Sequence, residues 1–114
     1  MRVVAAPDKF RGTASAAEAA SAIASAVVSR DGTAVEVPMA DGGEGLLDVL
    51  GGPDRTTEVT GPLGSPVTAG WRLSDGTAVV EMARASGLVL AGGPDENRPL
   101  DAMTTGVGEL LRHA

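Results

Sequence analysis

Two short stretches of this sequence concentrate the residues that could act on a small anion. The first is Asp8-Lys9-Phe10-Arg11-Gly12, a carboxylate and two cations beside a glycine. Ammonium and guanidinium groups next to an approachable backbone, leading into a helix N-terminus, suit a phosphate or a carboxylate. The second is Asp41-Gly42-Gly43-Glu44-Gly45. Its glycines remove the Cβ atoms that would hold a ligand off, and such a loop can offer a nest of N–H groups to an anion. Asp41 and Glu44 carry hard oxygen donors, and Mg²⁺ is commonly held by one or two carboxylates together with substrate phosphates. Each stretch also reads as plain surface structure, the first as a solvated charge run and the second as a tight turn whose Glu44 complements a helix dipole. That two such loops follow consecutive strands favours the ligand-binding reading.

The elements that must position these loops follow from apolar patterning. Arg2 to Ala6 reads as a buried strand and Pro7 to Thr13 as a loop. Ser15 and Glu18 have capping-box spacing, which predicts a helix from Ala16 to about Arg30, with Asp31-Gly32 ending it. Its Ala-rich surface would allow close packing on a sheet. Ala34 to Val37 is a second strand, Pro38 to Gly45 the second loop, and Leu46 to Leu50 a short helix. This rhythm is that of a parallel α/β sheet. After Asp54 the pattern changes. Thr56 to Thr60, Val67 to Leu73 and Ala78 to Met82 read as strands, and Asp75-Gly76 marks a hairpin turn. The fold class expected is therefore α/β, a parallel part over 1–54 and the start of a mixed part with an antiparallel hairpin over 55–114. Ala83 to Gly87 reads as one helical turn, Gly92 to Pro99 as a loop, and Thr104 to Arg112 as a final helix with Thr104 or Thr105 as its cap. Gly106-Val107-Gly108 reads as helix-start packing. Phe10 and Trp71 read as core residues, Glu81 as a carboxylate on an exposed strand face or aimed into a site, and Asp95, Glu96 and Arg98 as solvated.

Composition narrows the function. Nine Lys and Arg against fifteen Asp and Glu give a net charge of −6, which disfavours a nucleic-acid backbone as partner. The absence of Cys removes thiolate chemistry and cysteine zinc sites, and the lone His113 removes a histidine metal cluster. No apolar run approaches the ~20 residues of a membrane span, and no secretory signal is visible. A small-molecule task in the cytoplasm is the expectation. Neither a P-loop nor a G-x-S-x-G elbow is present.

Five blocks in order carry a resemblance. They are Ala6-Pro7-Asp8-Lys9-Phe10-Arg11-Gly12-Thr13, Pro38-Met39-Ala40-Asp41-Gly42-Gly43-Glu44-Gly45, Val59-Thr60-Gly61-Pro62-Leu63-Gly64, Glu81-Met82-Ala83-Arg84-Ala85-Ser86-Gly87-Leu88 and Thr105-Gly106-Val107-Gly108-Glu109-Leu110. Together they closely resemble the type I bacterial glycerate kinases. The resemblance implies ATP-dependent phosphorylation of glycerate to a phosphoglycerate, with Mg²⁺, on a fold with one flavodoxin-like part and one mixed α/β part. Carried over block by block, it makes the residues of Asp8 to Gly12 and of Asp41 to Gly45 site residues without dividing the steps among them; catalytic roles are expected for Asp8, Lys9, Arg11 and Asp41. Substrate or phosphate contacts are expected at Gly12, Gly42, Gly43, Gly45, Ser86 and Gly87, and metal ligation at Asp41 and Glu44. This chain has Lys9 where many members have Ser, and Arg11 where they have Lys. Members are several-fold longer, so the chain is expected to be an N-terminal portion, needing sequence beyond residue 114 for activity and prone to self-association through an incomplete sheet. A non-catalytic anion- or nucleotide-binding module, or an inactive fragment of the kinase, is the alternative.

Overall fold

The computed structural model describes residues 1–96 and 98–114; part of the Gly92 to Pro99 loop thus lies outside the described residues. The chain forms two compact units, Met1–Leu50 and Gly51–Ala114.

In the first unit, β1 (Arg2–Ala5) and β2 (Thr33–Glu36) pair in parallel, from Arg2 opposite Thr33 to Ala5 opposite Glu36. A parallel pair needs a crossover, and α1 (Ala16–Val28) supplies it. The capping box forms as its spacing predicts. The Glu18 N–H donates to Ser15 Oγ at 3.2 Å, and the Ser15 N–H donates to Glu18 Oε2 at 2.8 Å. Ala16, Ala20, Ala24 and Val27 are buried, and α1 packs on both strands. The helix stops at Val28, short of Arg30. Arg30 N–H donates to the Val27 carbonyl and Asp31 N–H to that of Val28, tightening the turn, and Asp31 takes a left-handed φ of 56°. β1 is not the buried strand its apolar run suggests. One helix covers one face of a two-stranded sheet, so Val4 stays 60% exposed and Val35 41%. The one-turn helix α2 (Leu46–Val49) follows Gly45, whose φ of 98° is a conformation that glycine adopts without strain.

In the second unit, β3 (Arg55–Thr60), β4 (Pro66–Ser74) and β5 (Thr77–Val80) form an antiparallel sheet in sequence order. The β4–β5 turn has positive φ at both Asp75 (50°) and Gly76 (75°), as in a type I′ hairpin. Beyond it come α3 (Ala83–Ser86), a 3₁₀ turn over Leu88–Ala91 and α4 (Thr105–His113). Val59, Ala69, Trp71, Ala85 and Leu110 make the core, with Val67, Leu73, Val80 and Val107 packed against it. Trp71 is a core residue as expected, and its indole N–H donates to Thr57 Oγ1 at 3.1 Å. Phe10, read as core, is instead 60% exposed. It sits on the closed turn that precedes α1, its N–H bonded to the Ala14 carbonyl. Glu81, read first as exposed, is 3% exposed. β5 ends at Val80, so the alternation that would turn Glu81 outward ends before it, and its Oε1 lies 3.6 Å from Arg84 Nε.

α4 is held to β3 by two devices. Gly106 lies against the Thr60 backbone so closely that an added Cβ would collide with the Thr60 carbonyl. Glu109 accepts hydrogen bonds from the Thr60 N–H at 2.7 Å and from its hydroxyl at 2.9 Å. Thr104 stands at the helix start without a side-chain capping bond. The Thr60 N–H, then its hydroxyl, hold the Glu109 carboxyl below its ordinary value of 4.5. A folded-state pKa below the unfolded one stabilises the fold above the unfolded value, and the contribution is lost as pH falls through the lowered one. In thermal melts, the stability gap between wild type and Glu109→Gln is therefore expected to be full near neutrality and to narrow below about pH 4.5. A gap constant from pH 7 to 3 would count against an ionised Glu109 as the strap.

Candidate functional site

Because β1 and β2 are parallel neighbours, the chain leaves both at the same end, where ligands gather in open α/β sheets. The two exits are zipped further. Val37 N–H donates to the Ala5 carbonyl at 2.8 Å and Met39 N–H to that of Pro7 at 2.9 Å. The Lys9 ammonium then donates to the Glu44 carbonyl, joining the two loops. The first loop is closed on itself: Phe10 N–H donates to the Ala14 carbonyl at 2.8 Å, while the Phe10 carbonyl accepts from Thr13 and Ala14.

Between the loops lies a cavity of about 540 Å³. Of the residues singled out from sequence, Asp8, Lys9, Arg11, Gly12, Glu44 and Gly45 line it. Asp41, Gly42 and Gly43 are on the same loop but exposed and outside the lining. Ser86 and Gly87 belong to the other unit and do not line this cavity. There the Ser86 hydroxyl oxygen is buried with no hydrogen-bond partner among the described residues, and the Gly87 N–H donates to the Ala83 carbonyl. Phe10, Met39 and Asp48 also line the cavity. Sequence reading missed all three as site residues. The signal available for Asp48 was its place in the turn of helix that directly follows the glycine loop.

The electrostatics differ from a bare helix N-terminus. The capping box engages the Ser15 and Glu18 amides and sets a carboxylate at the start of α1. The Ser15 N–H, then its hydroxyl, lower the Glu18 pKa and favour the charged form. That end of the dipole is already met by a negative charge. The positive charge offered to an anion here is therefore that of the Lys9 and Arg11 side chains. In the second loop Asp41 Oδ1 accepts the Gly43 N–H at 3.0 Å, so Gly43 would present this donor to a ligand only by releasing Asp41. Asp8 Oδ1 likewise accepts the Lys9 N–H at 2.6 Å. Each of these carboxylates uses one oxygen within its own loop.

Among the described residues no group of three or more His, Asp or Glu side chains is arranged to hold a metal ion. The acidic glycine loop fits Mg²⁺ only in the mode that takes one or two carboxylates and completes the shell with phosphate oxygens and water. Glu44, in the lining, and Asp41, three residues before it, are the donors for that mode. Among the described residues no helix is long and apolar enough to cross a membrane.

Comparison with known proteins adds a family to this geometry. The profile of the glycerate kinase family matches residues 3–114. The chain is 45% identical to the glycerate 2-kinase of Escherichia coli K12, over 100% of its own length and 32% of that protein's. It is also 45% identical to the glycerate kinase of Bacillus subtilis 168, over 97% of its length and 31% of the relative's. A crystal structure of a protein provisionally named glycerate kinase 2, from Salmonella typhimurium LT2, superposes with a TM-score of 0.74 at 40% identity. The match covers 99% of this chain and 32% of that one. The chain thus spans about a third of the length of the curated relatives it matches.

Proposed function

Since the chain belongs to the glycerate kinase family, we propose that it supplies part of a site in which ATP phosphorylates glycerate to a phosphoglycerate. The observation that carries this reading is that one cavity is lined by both loops, Lys9 and Arg11 coming from the first and Glu44 and Gly45 from the second.

Phosphoryl transfer asks little covalent chemistry of a protein. It asks for in-line positioning, neutralised charge and an oriented acceptor. As the acceptor oxygen bonds to phosphorus, the bond to the ADP oxygen breaks and the hydroxyl proton must find a base. In the proposed scheme Lys9 and Arg11 meet the glycerate carboxylate or the transferring phosphoryl group. Asp41 holds Mg²⁺ or takes the hydroxyl proton, and Asp8 is the second carboxylate for the latter task. Gly42 and Gly43 offer N–H groups, and Gly12 and Gly45 are the further substrate contacts. Bound Mg²⁺ would neutralise phosphate charge, with Asp41 and Glu44 as its protein donors. The remaining two thirds of the relatives' length is proposed to complete the site, and a cytoplasmic setting belongs to the same proposal.

A chimaera tests it. This chain replaces the matching third of the Escherichia coli relative, and glycerate-dependent ADP release is measured. Activity well above a vector control is expected. A chimaera that folds by circular dichroism yet releases no ADP would sink the reading. The cavity lies wholly within residues 8–49, and that favours one second reading, a binding module that takes the anion without turning it over. Ligand-dependent thermal stabilisation of the chain, with an inactive chimaera, would select it.

A further inference from the structure

The cavity is larger and more apolar than a three-carbon hydroxy acid can use. Glycerate is polar on every carbon and fills a small part of about 540 Å³. Two large apolar side chains from different loops face this space. Phe10 is 60% exposed and Met39 49% exposed. Exposed apolar residues scattered singly are ordinary. These two share one cavity, are joined there by Pro38 and Val49, and stand beside the cations Lys9 and Arg11. The backbone under the Phe10 ring is fixed by its bonds to Thr13 and Ala14. A ring carried on a closed turn loses little freedom when a ligand covers it. Met39 offers a polarizable thioether that adapts to a flat surface.

We propose that Phe10 and Met39 form the seat for the aromatic base of a nucleoside polyphosphate, with Lys9 and Arg11 meeting its phosphates. This rests on the reading that the site takes ATP, and it assigns the apolar part of the cavity, which that reading leaves unused. Charge complementarity decides the occupant. A flat apolar body with an anionic tail matches an exposed ring flanked in sequence by two cations. A second copy of this chain, with net charge −6, does not.

The test is calorimetric titration of the 114-residue protein with ATP and, separately, with inorganic tripolyphosphate, without added metal. Base–aromatic stacking supports an expected margin of about tenfold or more in favour of ATP. Phe10→Leu should erase the margin while leaving tripolyphosphate affinity in place, and Phe10→Trp should restore it. Equal affinity for the two ligands in wild type, equal loss of both in folded Phe10→Leu, or no binding of either overturns the seat. So does a Phe10→Leu change that alters only self-association in sedimentation. The kinase reading fails separately. An inactive chimaera with an intact ATP margin leaves the seat standing, and an active chimaera with no margin removes the seat alone.

Discussion

Asp41→Asn in the chimaera is expected to lower glycerate-dependent turnover by about 10²-fold or more. The substitution isolates charge from shape. An Asn side chain keeps an Oδ1 that can accept the Gly43 N–H, as Asp41 now does at 3.0 Å, so the loop keeps its turn. What disappears is the negative charge that could hold a divalent cation or receive a proton. An effect of this size is typical of losing a group that acts on the transition state, whereas a merely structural Asp41 would lose little. Asp8→Asn is the matched comparison, because Asp8 also uses one oxygen inside its own loop. Steady-state kinetics on both variants decide between them. Near-normal turnover in Asp41→Asn with a collapse in Asp8→Asn moves the role to Asp8, and near-normal turnover in both removes the carboxylates from the chemistry.

The largest expected effect on stability is at Leu110. Its side chain is fully buried in the core with Val59, Ala69, Trp71 and Ala85. Leu→Ala at such a site costs about 2–5 kcal/mol through lost transfer energy and the cavity left behind. A unit of this size holds roughly 3–10 kcal/mol in total. Leu110→Ala should therefore leave the second unit marginal or unfolded at room temperature. Leu111 is the control, one residue on in the same helix and 63% exposed. Leu111→Ala should change stability by no more than about 0.5 kcal/mol. Trp71 is the sole tryptophan and sits in the affected core, so its fluorescence in a urea titration reads the unit directly. Similar midpoints for the two variants would show that burial at Leu110 is not what holds α4.

Much of the fold was legible because local rules decide it. The Ser15–Glu18 capping box fixed the start of α1, and the Asp75-Gly76 pair announced a turn that needs positive φ twice. What escaped depends on tertiary context. Leu88–Ala91 is four apolar residues between glycines, too short for a period to show, and it forms a 3₁₀ turn. Glu81 looked like one step of a strand alternation, but the strand ends first and the side chain is buried. The loops of the site were legible as residues and not as a site. That Lys9 reaches the Glu44 carbonyl follows from β1 and β2 being parallel neighbours, not from any spacing within either loop. Phe10 was misread because an aromatic residue is usually buried, and only its position on the closed Phe10–Ala14 turn shows otherwise.

The alanine stripe of α1 has a calorimetric consequence. Ala16, Ala20 and Ala24 recur every four residues on the buried face of α1, each burying a single methyl group, and Val27 ends the row. Heat-capacity change on unfolding scales with the apolar surface released to water. A unit whose core is mostly alanine, with Val27 and Leu47 its larger buried side chains, releases less than a Leu- and Phe-rich one, so its unfolding enthalpy changes more slowly with temperature. Its stability curve is correspondingly flat, falling gently toward both cold and heat instead of peaking sharply between them.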